Sequence, residues 1–106
     1  MGRKARERPK RLADKLLRIR TALKLSQNGM IRRMALRYKT AQGDISEYER
    51  DEREPPLKVL LAYARAANVY ADVLIDDEID LPTNLPAERK SMGIKRKRKR
   101  GKRWSY

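Results

Sequence analysis

The sequence predicts an all-α fold of five short helices, and three observations carry that expectation. Apolar residues recur at spacings of three and four through most of residues 9–75. No stretch alternates apolar and polar residues as a half-buried strand would. Proline, glycine and polar clusters cut the apolar stripes into short pieces. At 106 residues the chain has room for one domain with tails, and a domain of that size buries a modest core.

The elements follow in order. Residues 1–8, "MGRKARER", lack an apolar pattern and are expected to form a disordered basic arm. Pro9 suits a first helical position. After it, Leu12, Leu16, Ile19 and Leu23 share one helical face, and Leu17 widens the stripe. Ser26 is the expected N-cap of the second helix, whose apolar edge is Met30, Ile31 and Met34. Gly29 weakens that helix by roughly 1 kcal/mol relative to Ala, so packing has to hold it. "ALRYKT" reads as a turn, longer than the tightest helix-turn-helix connections.

A third helix is expected over 41–50, with Ile45 and Tyr48 inward. "REPP" interrupts the chain before a fourth helix, in which Leu57, Leu60, Leu61, Ala64 and Ala67 form a stripe ending at Asn68, a plausible C-cap residue. A brief fifth helix runs through Val73, Leu74 and Ile75. Together with Ile79, these residues either close the core or form a dimer seam. "DLPTNLPAERKSMG" reads as linker and "KRKRKRGKR" as a cationic tail that repulsion keeps open. The expected organisation is an arm over 1–8, a helical body over 9–80, and a linker with basic tail over 81–106.

Charge is distributed unevenly along this plan. The net charge is +14. Residues 1–20 contribute +7, residues 21–87 contribute −2 and residues 88–106 contribute +9. A near-neutral body with cationic ends points to a polyanionic partner, most often nucleic acid. An anionic membrane would require a basic amphipathic helix with large apolar anchors, and the tail offers only Trp104 and Tyr106. No window is apolar enough to span a bilayer, and no apolar segment follows the basic N-terminus as in a secretory signal. Cysteine and histidine are both absent, which removes disulfides, thiol nucleophiles, most zinc sites and His-based proton transfer. The acids of "DDEID" at 76–80 lack calcium-loop spacing and read as a solvated helix end. No enzyme activity and no cofactor or metal are expected, and the location expected is the cytoplasm, at the nucleoid.

Two short helices joined by a turn suit docking in the major groove of double-stranded DNA, where the N-terminal end of the second helix reaches base edges. With Ile45 and Tyr48 inward, the outer face of the third helix carries Ala41, Gln42, Gly43, Ser46 and Glu47. Gln42 is the best reader among them, because one amide both donates and accepts, matching N7 and N6 of adenine.

The segments "LSQNGMIRRMAL", "AQGDISEYERDEREPPLKVLLAYARAANV" and "DVLIDDEIDLP" resemble the phage repressor/Cro-type helix-turn-helix proteins, the XRE family, over roughly residues 11–82. The resemblance implies a compact five-helix domain that binds operator DNA sequence-specifically, commonly as a homodimer, and so a repressor-type transcriptional regulator. It further implies that Ser26 caps the second helix and that Gln27 touches phosphate or supports the readers. Gln42 and Gly43 would then stand at bases beside Ser46 and Glu47, while Arg50 and Arg53 would meet the DNA backbone. Three departures stand out. Ala41 occupies a position where the family places Ser or Thr as cap, so Thr40 would serve after a shift of one residue. Gly43 stands where a longer side chain often reaches a base, and Asp51 replaces a glycine that would enter the left-handed region more easily.

Six acids crowd into residues 42–54. Asp44 falls in the first turn of its helix, where the dipole favours a carboxylate. Glu49, Glu52 and Glu54 are expected to pair with Arg50, Arg53 and Arg32 or Arg33. Glu47 would either accept from cytosine N4 or repel phosphate. Attraction would come from Lys95, Arg96, Lys97, Arg98 and the cations after them, with Arg3, Lys4 and Arg6 reaching a neighbouring minor groove. Two further readings are an antitoxin-like protein that neutralises a toxin-like partner, and a nonspecific nucleic-acid binder.

Overall fold

The computed structural model describes residues 8–35 and 40–90. Within them run α1 (Leu12–Ala22), α2 (Gln27–Met34), α3 (Gln42–Glu49), α4 (Leu57–Ala67) and α5 (Ala71–Ile75), with no strand among the described residues. The secondary structure of the described residues is therefore all-helical, as expected. The arm over 1–7, the turn residues 36–39 and the tail over 91–106 lie outside the described residues.

Helix α1 is the spine, touching α3, α4 and α5, while α2 packs on α3 and α4. Leu12, Leu16 and Ile19 enter the core as their spacing predicts. Leu17 does not; it is 36% exposed, and the flank of the stripe that turns inward is the one carrying Lys15. The Lys15 side chain is fully buried, and its ammonium donates to the carbonyls of Val73, Asp76 and Ile79 at 2.7, 2.9 and 2.7 Å. An ammonium has three protons to give, and all three have acceptors. Burial pulls its pKa below the ordinary lysine value, and Arg11 pulls the same way.

This clamp turns the "DDEID" segment from a solvated end into a fastening. Asp77 accepts from the backbone N–H groups of Lys10 and Arg11 at 2.9 Å each, which holds its carboxyl below the usual range. Arg11 also donates to the Asp77 carbonyl at 2.7 Å and pairs with Asp80. Pro9 consequently stays outside α1. The helix begins at Leu12 with Arg11 at its N-cap, because the preceding N–H groups are capped by an acid 66 residues away.

Lys24 (φ 58°), Asp51 (φ 59°) and Asn68 (φ 57°) close helix ends in the left-handed region. At each, paired N–H bonds run back to the last turn, such as Leu25 to Arg20 and Lys24 to Thr21. Of these three, only Asn68 was legible as such a stop, since asparagine tolerates this conformation better than lysine. Asp51 adopts the conformation in which the departure from glycine matters.

The inward face of α4 is Val59, Leu60, Tyr63, Ala64, Ala66 and Ala67, rotated from the expected stripe. Leu60, Ala64 and Ala67 are buried as predicted, but Leu61 is 42% and Leu57 79% exposed. Tyr63 takes the space instead, as the largest fully buried side chain. Val73, Leu74 and Ile79 close the core, which leaves Ile75 outward. Residues 81–90 are irregular, as a linker would be, yet Leu81, Pro82 and Ala87 are buried. The Ala87 N–H donates to the Ala67 carbonyl at 2.9 Å, and Asn68 donates its amide N–H to the Ala87 carbonyl.

Replacing Lys15 with Met keeps the stem and deletes the charge, leaving three carbonyls without their donor. We expect Lys15→Met to destabilise the fold by about 3 kcal/mol in urea unfolding.

Candidate nucleic-acid interface

The start of α3 is built from its own backbone. Ala41 is the N-cap, in extended conformation, and has no side-chain acceptor. The reciprocal half of a capping box does form: the Asp44 carboxylate accepts from the Ala41 N–H at 3.0 Å. Asp44 is thus placed in the first turn as expected, while Thr40 is not the cap, because the Asp44 bond fixes the helix start one residue later. Ile45 and Tyr48 are buried, which turns Ala41, Gln42 and Gly43 outward, all exposed. A Cβ added at Gly43 would meet nothing within 4 Å, so no intramolecular contact requires glycine there.

Helix α2 enters on Ser26, whose hydroxyl accepts from the Gly29 N–H at 2.9 Å. Here glycine has a local reason. A Cβ at position 29 would press on Ser26 Oγ at 3.2 Å and on Leu25. The cap sets Gln27 as the first residue of α2, beside the first residue of α3.

A chain of polar contacts then joins the two helix starts. Gln42 donates an amide N–H to the Gln27 side-chain oxygen at 3.2 Å. Gln27 donates in turn to Glu49 at 3.1 Å. Glu49 also accepts two bonds from Arg20, Nε at 2.6 Å and Nη2 at 3.0 Å, the paired geometry that a planar guanidinium favours. Arg20 completes the set by donating to the Leu25 carbonyl at 3.0 Å. The Glu49 side chain is only 6% exposed. Its hydrogen bond raises the Arg20 pKa above the ordinary value against the effect of burial. Beneath lies Tyr63, whose hydroxyl is pushed up chiefly by burial and further by Glu49.

Glu49 therefore pairs with an arginine from α1, not with the arginines beside it. That partner is 29 residues back in sequence, and only the packing of α1 on α3 brings it near.

The expected readers and phosphate contacts fall into two groups. Gln27, Gln42 and Gly43 come together at the adjoining starts of α2 and α3. Ser46, Glu47, Arg50 and Arg53 are drawn into bonds with their own neighbours. Arg50 donates to Ser46 and pairs with Glu52 at 2.9 Å. Arg53 pairs with Asp44 at 2.6 Å and Glu47 at 3.0 Å, with its guanidinium 5.2 Å from the centre of the Tyr48 ring. Exposed pairs of this kind stabilise little, because solvent screens them, so a phosphate can compete for either arginine. Lys95, Arg96, Lys97 and Arg98 lie outside the described residues.

Periodicity gave no sign of Arg20 and Glu49 as the support of the amides. The one available signal was Arg20 beside the buried Ile19 stripe, which does not name its partner. No group of His, Cys, Asp or Glu among the described residues is placed to hold a metal ion, and no helix among them is long and apolar enough to cross a membrane.

Glu49→Gln keeps the shape but leaves the half-buried Arg20 charge without its counter-ion. The expected result is a loss of about 3 kcal/mol in thermal or urea unfolding. Arg50→Gln, at an exposed pair, should leave the unfolding midpoint close to that of the wild type.

No protein-family model, no curated protein and no solved structure matches this chain.

Proposed function

We propose that this chain binds double-stranded DNA as a sequence-specific, repressor-type transcriptional regulator, reading the major groove from the start of α3. The observation that carries the reading is the oriented Gln42 amide. One of its N–H groups is taken by Gln27, and Gln27 is held by the partly buried ion pair of Glu49 and Arg20. The other N–H and the oxygen remain for a base edge. That pair of groups fits N7 and N6 of adenine, and it is offered at an exposed helix start beside a glycine with open space around it. A side chain already held in place loses less conformational entropy on binding than a free one.

Two further features support the reading. The body is close to neutral while the ends carry the positive charge, a division that separates attraction by phosphate from discrimination by bases. The acids near α3 are paired with Arg50 and Arg53, which lowers the repulsion they would exert on an approaching phosphate.

Selection of bound duplexes from a random pool is the direct test, with a recurrent motif as the expected outcome. On the selected site Gln42→Ala should cost about 1–3 kcal/mol, with little change on random duplex. Equal losses on both would remove Gln42 from base readout and leave a nonspecific binder.

Removing residues 95–106 should weaken binding to every duplex. It should also make the slope of log K against log salt shallower by several units, since each phosphate that the tail neutralises adds about 0.9 to its steepness. An unchanged slope would show that the tail does not engage the DNA backbone.

A further inference from the structure

The outward side of α4 carries a pattern that neither the core nor the DNA reading uses. With roughly 3.6 residues to a turn, Leu57, Leu61, Arg65 and Lys58 fall within an arc of about 100°, and all four are exposed. Four of the five large exposed apolar side chains among the described residues, Leu57, Leu61, Tyr70 and Ile75, lie on α4, on α5 or at the residue capping α5. An isolated exposed leucine is ordinary, but two leucines one turn apart are neighbours on the helix surface and form a strip. The helix that bears them contains no acid.

Lys58 and Arg65 supply the charge of this strip, and neither makes an ion pair or a side-chain hydrogen bond among the described residues. They differ in this from Arg11, Arg20, Arg50 and Arg53, each of which is bonded to an acid. Just past the end of α4, Lys90 stands 6.0 Å from the centre of the exposed Tyr70 ring. Free cations beside apolar side chains narrow the choice of occupant. Residues 1–20 and 88–106 carry +7 and +9, the same sign as the strip, so neither end of the chain is attracted to it. A second copy laid face to face would set like charges against one another. A nucleic-acid backbone would meet the cations but leave the leucines without apolar cover. A helix of 11 residues with two leucines outward lacks the broad apolar face that holds a helix in a bilayer surface. Carboxylates and aliphatic side chains on one segment satisfy both features.

We infer that the outer strip of α4 docks an acidic, leucine-bearing helical segment of another protein. Its carboxylates pair with Lys58 and Arg65, and its apolar side chains lie over Leu57 and Leu61. Lys58 and Arg65 are seven residues apart, about 10 Å along the helix and two turns of a partner helix. The docked segment therefore carries acids seven positions apart, with apolar side chains one turn in from them. The strip contains none of Gln27, Gln42 and Gly43, so its binding is tested without DNA.

The test is an NMR titration of the full chain with a designed helical peptide. The peptide has glutamates seven positions apart and leucines three and four positions after the first glutamate, and a control peptide has serine in place of both leucines. Amide shifts centred on residues 57–65 are expected, with a dissociation constant below about 1 mM. The serine peptide should bind at least about fivefold more weakly. Lys58→Glu combined with Arg65→Gln should weaken the leucine peptide about tenfold. Arg18→Glu combined with Arg32→Gln, which removes the same charge from exposed positions on α1 and α2, should leave it within about twofold. Glutamate in the first turn of a helix is favourable, so the α4 variant is expected to keep its circular dichroism. As a further variant, Leu61→Ser leaves every charge in place and should weaken the leucine peptide about fivefold. No binding at millimolar peptide, equal binding of the two peptides, or equal losses in the two double variants overturns the assignment. Phosphatidylserine vesicles or random duplex bound through Lys58 and Arg65, with the peptide unbound, overturn it in favour of a lipid surface or a nucleic acid.

Discussion

The position of α1 depends on one buried charge. Lys15 places an ammonium among the carbonyls that end α5 and begin the following turn, with all three protons given away. A buried charge is tolerable only when it is fully satisfied, so this bond specifies geometry as well as contributing energy. It holds the beginning of α1 against the end of the helical body. Arg11, bonded to Asp77 and Asp80, secures the adjoining turn from the solvent side.

Once α1 is set by Lys15, its other end decides the polar surface. Arg20 lies five residues on, more than a helical turn away, and meets Glu49 from the last turn of α3. Through Glu49 and Gln27 the same helix supports the Gln42 amide at the first residue of α3. Both ends of α3 are thereby referred to α1 and α2, which keeps a short helix of eight residues in a fixed attitude. A helix of that length is marginal in isolation, and the polar chain adds to what Ile45 and Tyr48 contribute by burial.

The acids gathered between residues 42 and 54 have separate duties. Asp44 caps α3, Glu49 neutralises a half-buried arginine, and Glu52 and Glu47 engage Arg50 and Arg53 at the surface. With these acids the body is close to neutral, and the excess of positive charge lies toward the two ends of the chain. In the proposed reading, long-range attraction and short-range discrimination then belong to different parts of the molecule. Attraction falls off within a Debye length, whereas a paired amide acts only at contact.

The sequence by itself determined the helical class, the five elements, the caps at Ser26 and Asn68 and the inward pair Ile45 and Tyr48. Each of these rests on spacing or on residue chemistry within a few positions. Exposure of Gln42 and Gly43 followed from the same periodicity. The tertiary structure decided the rest. It turned α4 so that Tyr63 is inside and Leu57 outside, and sent Lys15 inward in place of Leu17. It made 76–80 a fastening for α1, matched Glu49 with Arg20, and packed Leu81 and Ala87 against the body. All of these are contacts between residues distant in the chain, and local periodicity carries no record of which partner satisfies a charge or fills a space. A polar residue in phase with an apolar stripe can only be placed when the acceptors around it are known, and those come from the fold.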